Sequence, residues 1–276
     1  MQSNNPVLSR YEKTDKSGFA YDEGVSAYTQ AAAGGAGAAD TDAAFQQVTA
    51  AGGARLTIND VIVKTFAVFA ITVVFAVVGW NTYESMPWLL MVGLLGGLAL
   101  GFVNAFKKVP SPPLILLYGV FQGVMLGGIS QWYSQYAAGN GWNDIVLQAV
   151  VATMTTFGVM LVLYLTGVVK VNKKFVSVLI VAAVSYMVLG IGSFIWAMFG
   201  GGDGWGIYGT GFGPIVAVLG VLIAAFFLLL DFEAISQGIK LGAPERESWR
   251  MAFGLLVTLI WLYLEFLRLL AIFSRN

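Results

Sequence analysis

Two carboxylates, Asp231 and Glu265, each interrupt one of the last two apolar runs of this chain. Asp231 follows Pro214–Leu230, a stretch without another polar side chain, and Glu265 lies inside Met251–Phe273, a run rich in leucine and aromatics. An ionised acid at the centre of a membrane helix costs roughly 2.5–3.5 kcal/mol on insertion scales, so such an acid faces protein or water. The chemistry open to it there is proton or cation handling. Each acid also has a plainer reading. Asp231 is close enough to the end of its run to reach water. Glu265 has Arg268 three residues on, one turn away, as an internal charge partner. Glu233 is offset by two positions from Asp231 and points to another face.

The missing residue types narrow the chemistry further. The chain has no Cys and no His, which excludes disulfides, thiolate or imidazole metal sites, cysteine nucleophiles and histidine-based triads. Any response to pH near neutrality falls to carboxylates. There is no phosphate loop, HExxH helix, nucleophile elbow or GxGD aspartate, so nothing suggests an enzyme and no cofactor is expected. The net charge of zero gives no reason to expect a nucleic-acid partner.

The elements that must position these acids are membrane helices. Hydrophobic residues make up 58% of the 276 and charged residues 11%, and the apolar runs are of spanning length. The expected fold is an all-α integral membrane protein with seven spans: Val61–Trp80, Trp88–Phe106, Pro113–Tyr136, Asp144–Thr166, Phe175–Phe199, Gly213–Ser236 and Trp249–Phe273. Asn59 and Asp60 are candidate caps for the first. Residues 1–56 carry mixed charges and an Ala/Gly stretch with no apolar period, and read as a disordered tail before a transmembrane domain at 57–276. No secretory leader is expected, because the first long apolar run starts near Val61. Short connections imply that sequential helices are antiparallel neighbours.

Lysines and arginines occupy alternate connections. Lys107 and Lys108, then Lys170, Lys173 and Lys174, then Lys240 and Arg246 share a side with the tail, and the other connections have none. By the positive-inside rule the amino terminus is cytoplasmic and, with seven spans, the carboxyl terminus is outside, in a cell (inner or plasma) membrane. A six-span arrangement with a re-entrant last segment would return it inside.

Gly93, Gly97 and Gly101 on the second span and Gly119, Gly123 and Gly127 on the third are spaced by four, as close helix packing requires, and are expected to form a tight hairpin between these two spans. Asn104, Gln122 and Ser185 read as interhelical hydrogen bonders, with Gln122 near enough to mid-span to line a water path instead. Lys64 has a stem long enough to carry its ammonium to the headgroups.

The string Leu230-Asp231-Phe232-Glu233-Ala234-Ile235 resembles the D-F-x-x-I end of the sixth helix in the Bax inhibitor-1-like family of seven-span proteins. Leu262-Tyr263-Leu264-Glu265-Phe266 resembles that family's L-Y-L-D-F in the last helix. The resemblance covers about residues 60–273. It implies six helices wrapped around a central seventh, and a pH-sensitive calcium leak with lipid, protons and Ca²⁺ as its partners. Asp231 and Glu265 would be the pH-sensing pair at the cytoplasmic mouth and the points of weak calcium contact. It also implies an alternative, a non-conducting modulator of a membrane-bound ATP-dependent protease met through the amino-terminal tail. A third reading is a proton-coupled carrier, although no discontinuous-helix repeat is visible. The chain departs from the pattern in three ways. The last acid is Glu instead of Asp, the segment between the acids is longer, and Trp88–Phe106 has no arginine to latch onto Asp231. Two carboxylates in contact would share a proton, yet span midpoints put these two about 15 Å apart at 1.5 Å per residue.

The loop charges generate a direct test. A tag after Asn276 should be cleaved by protease added to intact cells, and a tag before Met1 should be protected. A protected carboxyl-terminal tag would leave the six-span arrangement.

Overall fold

The computed structural model describes residues 54–275, and Leu56–Asn276 forms one compact unit. The expectation of a disordered tail over residues 1–56 falls almost wholly outside the described residues. Seven helices are long and apolar enough to cross a membrane. They are α1 (Ile58–Thr82), α2 (Trp88–Phe106), α3 (Pro112–Gly139), α4 (Ile145–Leu165), α5 (Lys173–Met198), α6 (Gly213–Lys240) and α7 (Glu247–Arg275). A short 3₁₀ turn, Gly206–Gly209, lies between α5 and α6. The ends of these helices alternate between a basic end, with Lys107, Lys108, Lys173, Lys174, Lys240 and Arg250, and an opposite end.

Local chemistry sets the starts and stops. α1 is capped by Thr57, one turn before Asp60: the Thr57 hydroxyl accepts from the Asp60 amide at 3.3 Å, and the Asp60 carboxylate accepts from the Thr57 amide at 3.0 Å. This is a capping box, so Asp60 completes the cap and Asn59 does not make it. Proline opens α3 and α6, where the missing amide hydrogen has no helical partner to lose. α6 runs a turn beyond its apolar stretch to Lys240, so Asp231 lies nine residues inside its helix. A polar flank is as good a helix former as the apolar run, and hydropathy alone stops the span too early.

α7 is the central helix. It packs against α1, α3, α4 and α6 and buries Leu256, Leu262 and Leu267, each at 1% exposure or less. α2 lies outside α3, and α5 lies against α6 and the 3₁₀ turn. Chain neighbours are therefore not always spatial neighbours, contrary to the expectation from short connections. α1 barely meets α2 and packs along α3.

The glycines explain this. Gly93 and Gly97 of α2 abut the α3 backbone and Gln122, as the expected hairpin requires. Gly123 and Gly127 of α3 instead abut α1, where a Cβ would collide with the backbone carbonyls of Thr72 and Ala76. The second stripe thus serves a different partner: α3 presents one small-residue face to α2 and another to α1. The basic end is tied by polar contacts. Lys64 pairs with Glu245 at 2.7 Å, Arg246 donates to the Pro110 carbonyl at 3.2 Å, and Arg250 donates to the Lys108 carbonyl at 2.5 Å. Leu56, just before α1, is 3% exposed and its amide donates to the Ala243 carbonyl at 2.8 Å.

Gly127→Val should destabilise the protein, because overpacking against backbone has no side chain to yield; the expected loss is roughly 1–3 kcal/mol. Gly158→Ala, where a Cβ meets nothing within 4 Å, is the control. Thermal unfolding of both variants in detergent should show a lowered midpoint for the first only.

Candidate functional site along the α6–α7 seam

α6 and α7 run antiparallel, and their register places the two acids. Asp231 Oδ1 lies 3.5 Å from where a Cβ on Gly254 would sit, so Asp231 is level with Gly254. Glu265 Oε2 lies 2.6 Å from the corresponding point on Gly220. Gly220 and Asp231 are eleven residues apart, as are Gly254 and Glu265. The acids therefore occupy two levels of one seam, separated by about 16 Å of helix axis. Asp231 is in the half toward the basic end, and Glu265 is in the opposite half.

The structure does not bring the two acids together. The contact that the family resemblance implies is absent, and the spacing agrees with the span-midpoint estimate. The physical reason is the length of the α6–α7 connection. α7 starts at Glu247, so the residue opposite Asp231 is Gly254, and Glu265 comes three turns later.

Glu265 is 2% exposed, yet both its oxygens are satisfied. Trp261 Nε1 donates to Oε1 at 3.0 Å, Tyr186 Oη donates to Oε2 at 2.7 Å, and Arg268 Nη1 pairs with Oε2 at 2.8 Å. The Arg268 guanidinium lies over the Tyr208 ring, 4.6 Å from its centroid, and Nη1 also reaches the Tyr208 hydroxyl at 3.3 Å. Tyr208 Oη in turn donates to Tyr186 Oη at 3.0 Å. Helix spacing alone brings Arg268 to Glu265, because residues three apart on α7 share a face. Tyr186 comes from α5 and Tyr208 from the 3₁₀ turn. That turn is held by Ser193 Oγ, which accepts from the Ile207 amide at 2.9 Å, and by Arg275, which donates to the Gly209 carbonyl at 2.8 Å. Gly220 is needed for the same network, since a Cβ there would collide with the Tyr186 hydroxyl.

Asp231 has a different environment. Its Oδ2 is buried and makes no hydrogen bond among the described residues. No cation pairs with it among those residues. Glu233, two residues on, turns away toward α4 and accepts from the Tyr164 hydroxyl at 3.0 Å.

Sequence reasoning singled out Asp231, Glu265 and Arg268 but missed Tyr186, Tyr208 and Gly220. Tyr186 lies mid-span on α5 and Tyr208 in a connection, and no intrachain spacing links either of them to α7. Gln122 is buried between α2 and α3 with Oε1 unpartnered among the described residues. Among the described residues no three acids converge as a cation cage would need.

A family model described as Bax inhibitor 1 like matches residues 5–275. No curated protein matches the chain.

Removing one member of a buried ion pair strands the other. Glu265→Gln should therefore destabilise the protein by roughly 3–5 kcal/mol, and Tyr186→Phe by about 1–3 kcal/mol. Adding Arg268→Met to Glu265→Gln should recover most of the first loss. Thermal midpoints of the three variants, measured in one detergent, check the ordering.

Proposed function

The chain belongs to the Bax inhibitor 1 like family, and on that premise we propose that it is a pH-sensitive calcium leak, with Asp231 as its proton-responsive station. The observation that carries this reading is the buried, unpartnered Oδ2 of Asp231 between two apolar helices. A carboxylate left so is unfavourable unless it takes up a proton or a cation. Gain and loss of that proton changes the charge of the seam at one level without disturbing the network around Glu265.

The two acids act in series instead of sharing a proton, because about 16 Å of helix lies between them. Glu265, neutralised by Arg268 and fully hydrogen bonded, closes the seam in its half. Calcium is the cargo of this leak. It prefers six to eight oxygens, so single acids supplemented by carbonyls and water would hold it weakly, as conduction requires. The loop lysines support a cytoplasmic placement of the basic end, and with it of Asp231 and the amino terminus.

Calcium flux into liposomes containing the purified protein, followed from pH 5 to pH 8, tests the reading. The unmodified chain should conduct with a pH-dependent step. Asp231→Asn should abolish that step while leaving the thermal midpoint close to the unmodified value. Glu265→Gln should raise flux at every tested pH and lower the midpoint. Absence of flux throughout would favour the modulator of a membrane-bound protease over the leak.

A further inference from the structure

α5 stands off from α7 and leaves a cleft of about 750 Å³ on the flank of the molecule. Its volume lies within the range of small-molecule sites. The walls are aromatic and aliphatic: Trp132 from α3, Phe227 from α6, Trp261 from α7 and Trp205 from the α5–α6 connection. The rim on α5 includes Met187 and Phe194, 58% and 67% exposed, so the cleft opens sideways toward hydrocarbon. Along α5 it extends from Ala197 to Ala183, about 21 Å.

The floor is polar, and its unmatched charge has one sign. Both Glu265 oxygens are already taken by Trp261, Tyr186 and Arg268. Arg268 spends Nη1 on Glu265, Tyr186 and Tyr208 and has the Tyr133 hydroxyl beside it, and the rest of its fork has no other partner among the described residues. The side chain is 28% exposed where it lines the cleft. A guanidinium offers five donors in a fixed fork and serves two acids at once. What the floor lacks is a second anion.

We propose that this cleft binds a long-chain carboxylate of the fatty-acid type, its head on the free donors of Arg268 and its chain along α5 toward Ala183 and Phe227. Three observations select that class. The lining is apolar over the length of an extended chain. The open polar groups on the floor, the Arg268 guanidinium and the Tyr133 hydroxyl, can both donate to a carboxylate. Arg268 lies seven residues inside the end of α7, about 10 Å below it, a depth at which a small acid that enters protonated is easier to bury than a phosphate. The site does not depend on the leak reading, since Asp231 lies at another level of the seam.

Tryptophan fluorescence of the full chain in detergent tests this, because Trp132, Trp205 and Trp261 line the cleft. A bromine-labelled long-chain fatty acid should quench it saturably. Its methyl ester should bind roughly tenfold more weakly, as loss of a charged hydrogen bond predicts. Gly190→Phe should block the cleft, since a Cβ at Gly190 meets nothing within 4 Å and the ring would project into the space; it leaves the Glu265 network untouched, and an unchanged thermal midpoint verifies that. Quenching should then fall at least tenfold. Arg268→Gln combined with Glu265→Gln should remove the preference for acid over ester. Unsaturable quenching, equal affinity for acid and ester, equal quenching by a brominated phosphatidylcholine, or unaltered binding in Gly190→Phe would each overturn the proposal.

Discussion

A carboxylate surrounded by hydrocarbon has to find all its donors within the protein, and Glu265 takes its donors from two helices at once. Trp261 and Arg268 come from its own helix, and Tyr186 comes from α5. Tyr208, which backs both Tyr186 and Arg268, comes from the 3₁₀ turn. The half of the molecule opposite the basic end is therefore assembled around one charge. Without it, α5 has little to hold it, since Leu179 and Ser193 are its only buried residues among those described. The looseness of α5 and the fixed place of Tyr186 have the same origin: two polar contacts, Tyr186 with Glu265 and Ser193 with the Ile207 amide, fix the half of the helix opposite the basic end and let it lean away elsewhere.

Asp231 shows what happens when the same problem is left unsolved. It sits in a seam of the same two helices with no cation paired to it among the described residues, and one of its oxygens stays without a partner. The contrast between the two acids is one of neighbours and not of depth. The satisfied polar contacts are concentrated at Glu265, and an unsatisfied oxygen is left at Asp231.

Hydropathy made the seven spans legible, because the length and polarity of a run are written in the order of residues. Arg268 was legible as a partner of Glu265 because both lie on one helix at a spacing that a helix closes. The rest depended on rotation and register between helices. Seven nearly uniform apolar spans carry little information about which face meets which helix. Gly123 and Gly127 announced a close approach but not that α1 would be the partner. The ion pair of Lys64 with Glu245 joins residues far apart in sequence, and Leu56, the last residue of a polar stretch by composition, is buried. The separation of Glu265 from Asp231 was legible in the span midpoints, while the short motifs that carry the two acids do not encode it.

The close approach of α1 to α3 has a consequence for biosynthesis. The face of α1 that fits against Gly123 and Gly127 has no counterpart until the third span has entered the bilayer. α2, made in between, docks on the far side of α3 and offers α1 almost nothing. A nascent chain carrying only two spans thus consists of two separate helices in lipid, and association begins when α3 arrives with a glycine face for each of them. The third span is the first point at which this protein has a tertiary structure.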